Sequence, residues 1–293
     1  MNIIRYIISL LLISTAPIII LSKTYAHATT RFIPEIDAHY KICIVIPAYN
    51  EEKRIEPTIH AYMDFFKTKK TLQTDFLVVA NNCSDKTVAI CKKLQRSYKN
   101  LYLLDLPQGG KGYAVREGFE YALRYNYDLI GFVDADMATK PLYFYELITK
   151  IKGHDGVIAS RYVRDAQVWP KRPFLRKIGG KVYNFVLRHQ FHITFKDTQC
   201  GAKLFTKATI KDIVPYMQER GWAFDCEVLY LCKLFDRDVL EIPTTWSDVP
   251  GSHLDIGASR KEFTTAVYRI KDRFKDLAAK HKKRTQQAKL QNA

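Results

Sequence analysis

Across residues 41–160, short apolar runs take turns with stretches of helical spacing. KICIVIP (41–47), DFLVVA (75–80), LYLLD (101–105), DLIGFVDAD (128–136) and GVIAS (156–160) are dense in aliphatic and aromatic residues, and each predicts a buried strand. Between them, residues 54–68 place Ile55, Ile59, Tyr62 and Phe66 on one helical face. Residues 86–97 predict a second helix that Ser84 or Asp85 caps. A glycine-rich turn, Gly109-Gly110-Lys111-Gly112, opens a third helix running to about residue 125. Strands alternating with helices at this spacing predict an α/β fold with a mostly parallel sheet and helices on both faces. Such sheets bind ligands beyond the carboxyl ends of their strands, where polar clusters fall at 47–51, 81–85, 134–136 and 160–161.

After residue 161 the regularity fades. Residues 173–190 and 222–235 predict helices, 197–206 a loop running into a strand, and VLEIPTTWS (239–247) a further strand. Beyond residue 259 the pattern is one basic amphipathic helix with Phe263, Val267, Ile270, Phe274 and Leu277 in a stripe. The final dozen residues are polar and predict a frayed end.

The net charge of +16 calls for an anionic partner: nucleic acid, an acidic membrane surface or phosphorylated substrates. With 47% apolar and 13% aromatic residues the chain is not disordered. Its six cysteines form no C-x-x-C pair, which speaks against a zinc site and for buried free thiols. Residues 6–21 are apolar apart from two serines and a threonine, flanked by Arg5 and Lys23. As a helix rising about 1.5 Å per residue they fall short of the ~30 Å hydrocarbon core. Ala26-His27-Ala28 resembles a signal-peptidase site, so a cleaved signal stays open beside a retained anchor. The basic segment that follows favours the anchor, with the body on the cytoplasmic side. The division is then an anchor at 1–23, a linker at 24–40, a catalytic domain at 41–258 and a basic C-terminal helix and tail at 259–293.

The sharpest chemical signal is Asp134-Ala135-Asp136 at the end of an apolar strand. Two carboxylates one residue apart are costly to bury without a counter-cation, and strand alternation puts both on one side. That arrangement suits Mg²⁺ or Mn²⁺, which favour hard oxygen ligands. Pro47, Tyr49 and Glu51 follow the first strand, where Tyr49 could stack a base and Glu51 accept from ribose hydroxyls. The glycine turn, with Lys111 and Arg116, offers close backbone approach, a helix N-terminus and two cations, a setting suited to phosphate.

Taken in order, IVIPAYNEE, VVANNCSDKT, GGKGYAVREGF, FVDAD, SRYV, DTQCGAKLF, GWAFDCEVLY and WSDVPGSHL resemble glycosyltransferase family 2. Within it they are most similar to the dolichyl-phosphate β-glucosyltransferase branch, with the mannosyltransferases as near relatives. The resemblance covers about residues 40–255. It implies a GT-A fold and inverting transfer of glucose from UDP-glucose to dolichyl or another polyprenyl phosphate. The donor is cytosolic, so the enzyme would work on the cytosolic membrane face, in the endoplasmic reticulum of a eukaryote or the plasma membrane of a bacterium. By the same resemblance Asp134 and Asp136 hold the metal and the donor diphosphate. Pro47, Tyr49, Glu51 and Asn82 line the nucleoside pocket, and Lys111 and Arg116 sit near the donor. Arg161 and Lys203 handle phosphates, and Asp197 and Gln199 shape the intervening loop. Asp225 and Glu227 are the carboxylates near the acceptor, where their spacing could equally mean one solvated helix face. Apart from the resemblance, the basic stretches 171–188 and 260–284 could lie in the headgroup layer, where Arg172 and Arg176 could meet the lipid phosphate, or could equally present a solvated basic face.

Three features depart from the family pattern. Asn81-Asn82 replaces a usual acidic pair, which opens the choice between UDP and GDP; His253 stands where the glucosyl branch has Lys; and 218–222 has the letters of Q-x-x-R-W at the wrong spacing for a chain-building synthase. GDP-mannose therefore remains the alternative donor. A non-catalytic nucleic-acid or nucleotide-binding protein also accounts for the charge. It leaves the acid pair and the apolar N-terminus unexplained, so no nucleic-acid partner is expected. The pattern sets no oligomeric state.

Overall fold

The computed structural model describes residues 33–170, 174–247 and 256–291. The first half follows the predicted alternation: β1 (Tyr40–Ala48), α1 (Ile55–Lys67), β2 (Leu72–Asn81), α2 (Thr87–Gln95), β3 (Leu101–Leu106), α3 (Lys111–Leu123), β4 (Leu129–Val133), α4 (Pro141–Thr149) and β5 (Gly156–Ser160). There follow β6 (Gln167–Trp169), α5 (Phe174–Phe191), β7 (Ala202–Thr206), α6 (Lys207–Ile213), α7 (Phe224–Leu234), β8 (Val239–Pro243), β9 (Thr245–Ser247), α8 (Ile256–Arg273) and α9 (Lys275–Gln291).

Seven strands form one sheet in the order β3-β2-β1-β4-β7-β5-β8, while β6 and β9 pair as a small parallel ribbon. Strand β1 is an unbroken apolar run because both of its faces are covered. Cys43 and Val45 face a cluster built with α3, α6 and α7, and Phe76 on β2 packs edge-on against Tyr62 and Phe66 of α1 across the sheet. Ile42, Ile44, Val45 and Ile46 are wholly buried, each side chain worth about 1.5–3 kcal/mol. All six cysteines are free and five are buried; burial pushes the Cys91 and Cys200 thiols up to about 12.

The structure corrects the sequence reading at four places. Strand β4 stops at Val133, so Asp134 and Asp136 sit in the following turn rather than on an alternating strand. Helix α4 occupies part of a stretch, 137–155, to which the pattern assigns no element. It hides because its apolar residues surround it: Phe144, Tyr145, Leu147, Ile148 and even Glu146 are buried. Strand β7 runs antiparallel between β4 and β5, and delivers the 197–201 loop against the end of β4.

The fourth correction concerns the C-terminal stripe. Ala266, Val267, Ile270 and Phe274 are members of the main core, with Leu277 packed beside them, so this apolar face meets protein rather than lipid. Nor is the end frayed, since α9 is helical to Gln291. The expected anchor at 1–23 and His253 lie outside the described residues. Among the described residues no helix is long and apolar enough to cross a membrane.

Candidate active site

The loops after β1 and β2 are stitched together by side chains. The Glu51 N–H donates to Thr87 Oγ1 at 2.8 Å, the Glu52 N–H to Asp85 Oδ2 at 2.9 Å, and the Ser84 N–H to Asn50 Oδ1 at 2.9 Å. Asp85 also accepts from the Thr87 N–H at 2.9 Å, fixing the entry to α2. Pro47 ends buried in β1, whereas Tyr49 is 45% exposed at the rim. The Glu51 carboxylate takes both nitrogens of an Arg54 fork at 2.5 and 2.7 Å.

The two asparagines after β2 are divided in role. Asn81 is buried; its Nδ2 donates to the Ala48 carbonyl at 2.8 Å and its Oδ1 accepts from the Gly110 N–H at 3.0 Å. An aspartate there would lack this donor, leaving the Ala48 carbonyl only the weaker Cys83 thiol at 3.4 Å as a side-chain partner among the described residues. Asn82 is exposed, in the left-handed region at φ +52°, beside Gly109.

The start of α3 is not an open phosphate cradle. The Gly112 and Tyr113 N–H groups donate to the Arg220 carbonyl at 2.9 and 3.3 Å, so the 218–222 segment already caps the helix. Gly112 permits this crossing, because a Cβ there would stand 2.2 Å from the Glu219 carbonyl oxygen. Of the two expected cations, only Lys111 turns inward. Arg116, five residues on and about 140° around the helix, is engaged by Glu117 and Glu120.

Lys111 Nζ lies 2.5 Å from Asp134 Oδ1, over the rings of Trp222 (5.0 Å) and Phe224 (5.9 Å). Burial works against its charge, but Asp134, then Asp225 and Asp136, hold the ammonium above its usual range. Charge and a side-chain hydrogen bond to Asp134 together hold this contact. Burial, followed by the neighbouring Asp134, pushes the Asp136 carboxyl above the usual carboxylate range.

The turn that carries both acids is pinned from below by Thr58, which the sequence reading passed over, and by Tyr62, which it read only as a core residue. Thr58 Oγ1 donates to the Ala135 carbonyl and the Tyr62 hydroxyl to the Thr139 carbonyl, both at 2.8 Å. A threonine on the apolar face of 54–68 was the available signal. Gly201 is the other such residue. Its carbonyl accepts from the Asp134 N–H at 3.0 Å, and a Cβ on it would meet Asp134 Oδ2 at 1.9 Å.

Behind this turn lies a buried pair. Lys203, fully buried, donates to Asp225 Oδ1 at 2.5 Å and to the Cys200 carbonyl at 2.8 Å, leaving its ammonium no open side in this state. Arg161 is likewise committed, forked onto buried Asp197 at 2.7 and 2.8 Å and stacked near Trp246. Burial raises Asp197, but Arg161 outweighs it and holds the carboxyl below its usual range. The Gln199 N–H rests on Asp197 Oδ1 at 3.3 Å, while its amide nitrogen Nε2 is buried and has no partner among the described residues. Glu227 is separated from Asp225 by the turn of α7. It accepts from the Gln218 and Glu219 N–H groups and from Arg273, which makes it a brace for the C-terminal helix. Arg176 falls within α5, and Arg172 lies outside the described residues.

Within the cluster of Lys111, Lys203, Asp134, Asp136 and Asp225, three carboxylates face two ammoniums. Arg54 also acts on Asp136 from the side, and the donors of the cluster are hard oxygens. Among the described residues no three His, Cys, Asp or Glu side chains converge as a ready metal site, so Asp134 and Asp136 could hold a divalent cation only with further ligands from a diphosphate and water.

Residues 43–214 match the family description Glycosyl transferase family 2. The chain belongs to that family. This glycosyltransferase is 33% identical to a dolichyl-phosphate β-glucosyltransferase of Dictyostelium discoideum, over 80% of this chain and 74% of the relative. It is 32% identical to the enzyme of that name from Saccharomyces cerevisiae, over 78% and 75%. In shape the family 2 chain is similar to glucosyl-3-phosphoglycerate synthase from Mycobacterium tuberculosis, solved in complex with Mn²⁺, UDP and glucosyl-3-phosphoglycerate. There the TM-score is 0.57 at 15% identity, covering 80% of each chain. Its fold is thus the GT-A type the sequence implied.

Proposed function

We propose that this family 2 enzyme transfers glucose from UDP-glucose to dolichyl or another polyprenyl phosphate, with inversion, at the cytosolic face of a membrane to which its N-terminal segment holds it. The names of its relatives support the sugar and the lipid. The observation that carries the chemistry is the pair of neighbouring carboxylates, Asp134 and Asp136, in the turn at the end of β4.

Asp134 and Asp136 would hold Mg²⁺ or Mn²⁺, which when bound neutralises the diphosphate of the departing nucleotide. The rest falls to the protein. Lys111 supplies an ammonium beside that diphosphate. Tyr49 offers a ring to the base and exposed Asn82 an amide able to donate or accept. Gln199 Nε2, a buried donor without a partner among the described residues, suits an oxygen of either phosphate. The acceptor is already an anion near neutral pH, so an oxygen of the lipid phosphate attacks the sugar C1 as the C1–O bond to UDP breaks. No proton need be removed, and alignment is the main requirement. Asp225, committed to Lys203, then positions the 200–203 segment rather than acting as a base.

The test is purified protein with Mn²⁺ and a polyprenyl phosphate, offered labelled UDP-glucose, GDP-mannose and UDP-N-acetylglucosamine in parallel. Label from UDP-glucose alone should enter the organic phase. Label from GDP-mannose instead would overturn the donor, and label from none would overturn the acceptor.

A further inference from the structure

The two ammoniums of the acid cluster are held in opposite ways. Lys203 is fully buried and has two aligned acceptors, Asp225 and the Cys200 carbonyl, so it cannot leave without unfolding its surroundings. Lys111 stands on the first turn of α3 with 17% of its side chain exposed, and from that partly open position it contacts Asp134 Oδ1 at 2.5 Å. Its four-carbon stem is flexible, and Trp222 and Phe224 line its seat with rings rather than anchoring acceptors.

We infer that Lys111 is the counter-cation of Asp134 in the metal-free enzyme, and that a divalent cation must displace it. The inference rests on the assignment of Asp134 and Asp136 as the metal-holding pair. The displacement couples two events at the site. A metal arriving at Asp134 frees an ammonium a few ångströms away, which then serves the donor's diphosphate. Lys111 therefore weakens metal binding to the free enzyme while strengthening nucleotide binding to the metal-loaded one. A binding order of metal and nucleotide together, rather than metal first, follows from the side chain's two uses.

The experiment measures binding without turnover. Free Mn²⁺ is followed by electron paramagnetic resonance as wild type, Lys111→Met, Lys111→Arg and Asp136→Asn are titrated, with circular dichroism checking each fold. Methionine keeps the bulk over Trp222 and Phe224; should it not fold, Lys111→Gln replaces it. Lys111→Met is expected to bind Mn²⁺ at least tenfold more tightly than wild type, Lys111→Arg within about twofold of it, and Asp136→Asn not at all. With saturating Mn²⁺, Lys111→Met should bind UDP about tenfold more weakly by calorimetry. Equal or weaker Mn²⁺ binding by Lys111→Met overturns the displacement. If neither wild type nor Lys111→Met takes up Mn²⁺ alone but both do with UDP, the displacement fails while the metal pair stands. If no uptake occurs even with UDP, the metal pair itself fails.

Discussion

Lys203→Met exposes how the buried pair behind the site is balanced. Removing one member of a buried ion pair costs about 3–5 kcal/mol, because the other is left uncompensated. Asp225 can escape part of that cost by keeping its proton. Burial already holds it above the usual carboxylate range, and Lys203 is the main influence drawing it down. Without Lys203 its folded-state pKa climbs further. Between the unfolded value and the raised one, the folded chain carries a proton that the unfolded chain has released. Stability must then fall as pH rises through that window, by up to about 1.4 kcal/mol per pH unit. Urea unfolding at pH 5, 6.5 and 8 should show a small deficit at pH 5 that deepens toward pH 8. Lys203→Met/Asp225→Leu, which removes both charges, should recover most of the loss and flatten the slope. A deficit equal at pH 5 and 8, or a double variant as unstable as the single one, would refute the reasoning. So would an unchanged stability of Lys203→Met with only substrate affinity lost, which is the behaviour of a phosphate contact.

Four further outcomes are expected. Asp136→Asn should lower transfer on the order of a thousandfold, since a metal contributes several kcal/mol to the transition state. Its melting temperature should hold or rise, because a desolvated carboxyl beside Asp134 is gone. Gly201→Ala, which drives a Cβ into the Asp134 carboxylate, should cost about 1–3 kcal/mol in chemical unfolding and about a hundredfold in rate. Asn81→Asp removes the donor to the Ala48 carbonyl and should destabilise by about 1–3 kcal/mol; an unchanged midpoint would contradict the tie. Ile270→Ala should cost about 2–5 kcal/mol in the absence of any lipid, since Ile270 is wholly buried; a helix stripe reserved for membrane would show no such loss.

The first half of the fold is legible because local signals agree with tertiary ones. Residues 42–46 of β1 and 76–80 of β2 are continuous apolar runs closed by turn residues, and α1 buries the face its spacing names. Legibility fails where the partner is distant in sequence. An antiparallel β7 between two parallel neighbours leaves no mark on its own five residues. The stripe of α8 has the same spacing whether it meets lipid or protein; its packing into the main core and the ties of Arg269 and Arg273 to Glu219 and Glu227 distinguish the two. In the site, the residue types of the acid turn were readable, but their commitments were not. Arg161 and Lys203 are cations by sequence; their pairing with Asp197 and Asp225, 36 and 22 residues away, depends on contacts that no spacing encodes, whereas Arg116 and Glu120 stand at the i,i+4 spacing of one helix.

The capture of α8 by the main core bears on how the protein is made. Cys43 and Val45, near the beginning of the globular part, share one apolar cluster with Ile270 and Phe274. A polypeptide emerging from the ribosome at roughly 5–20 residues per second must wait on the order of ten seconds or more between offering the first of these side chains and the last. During that interval the pocket for α8 stays unfilled, so a nascent chain stalled before residue 266 would present greasy surface to chaperones.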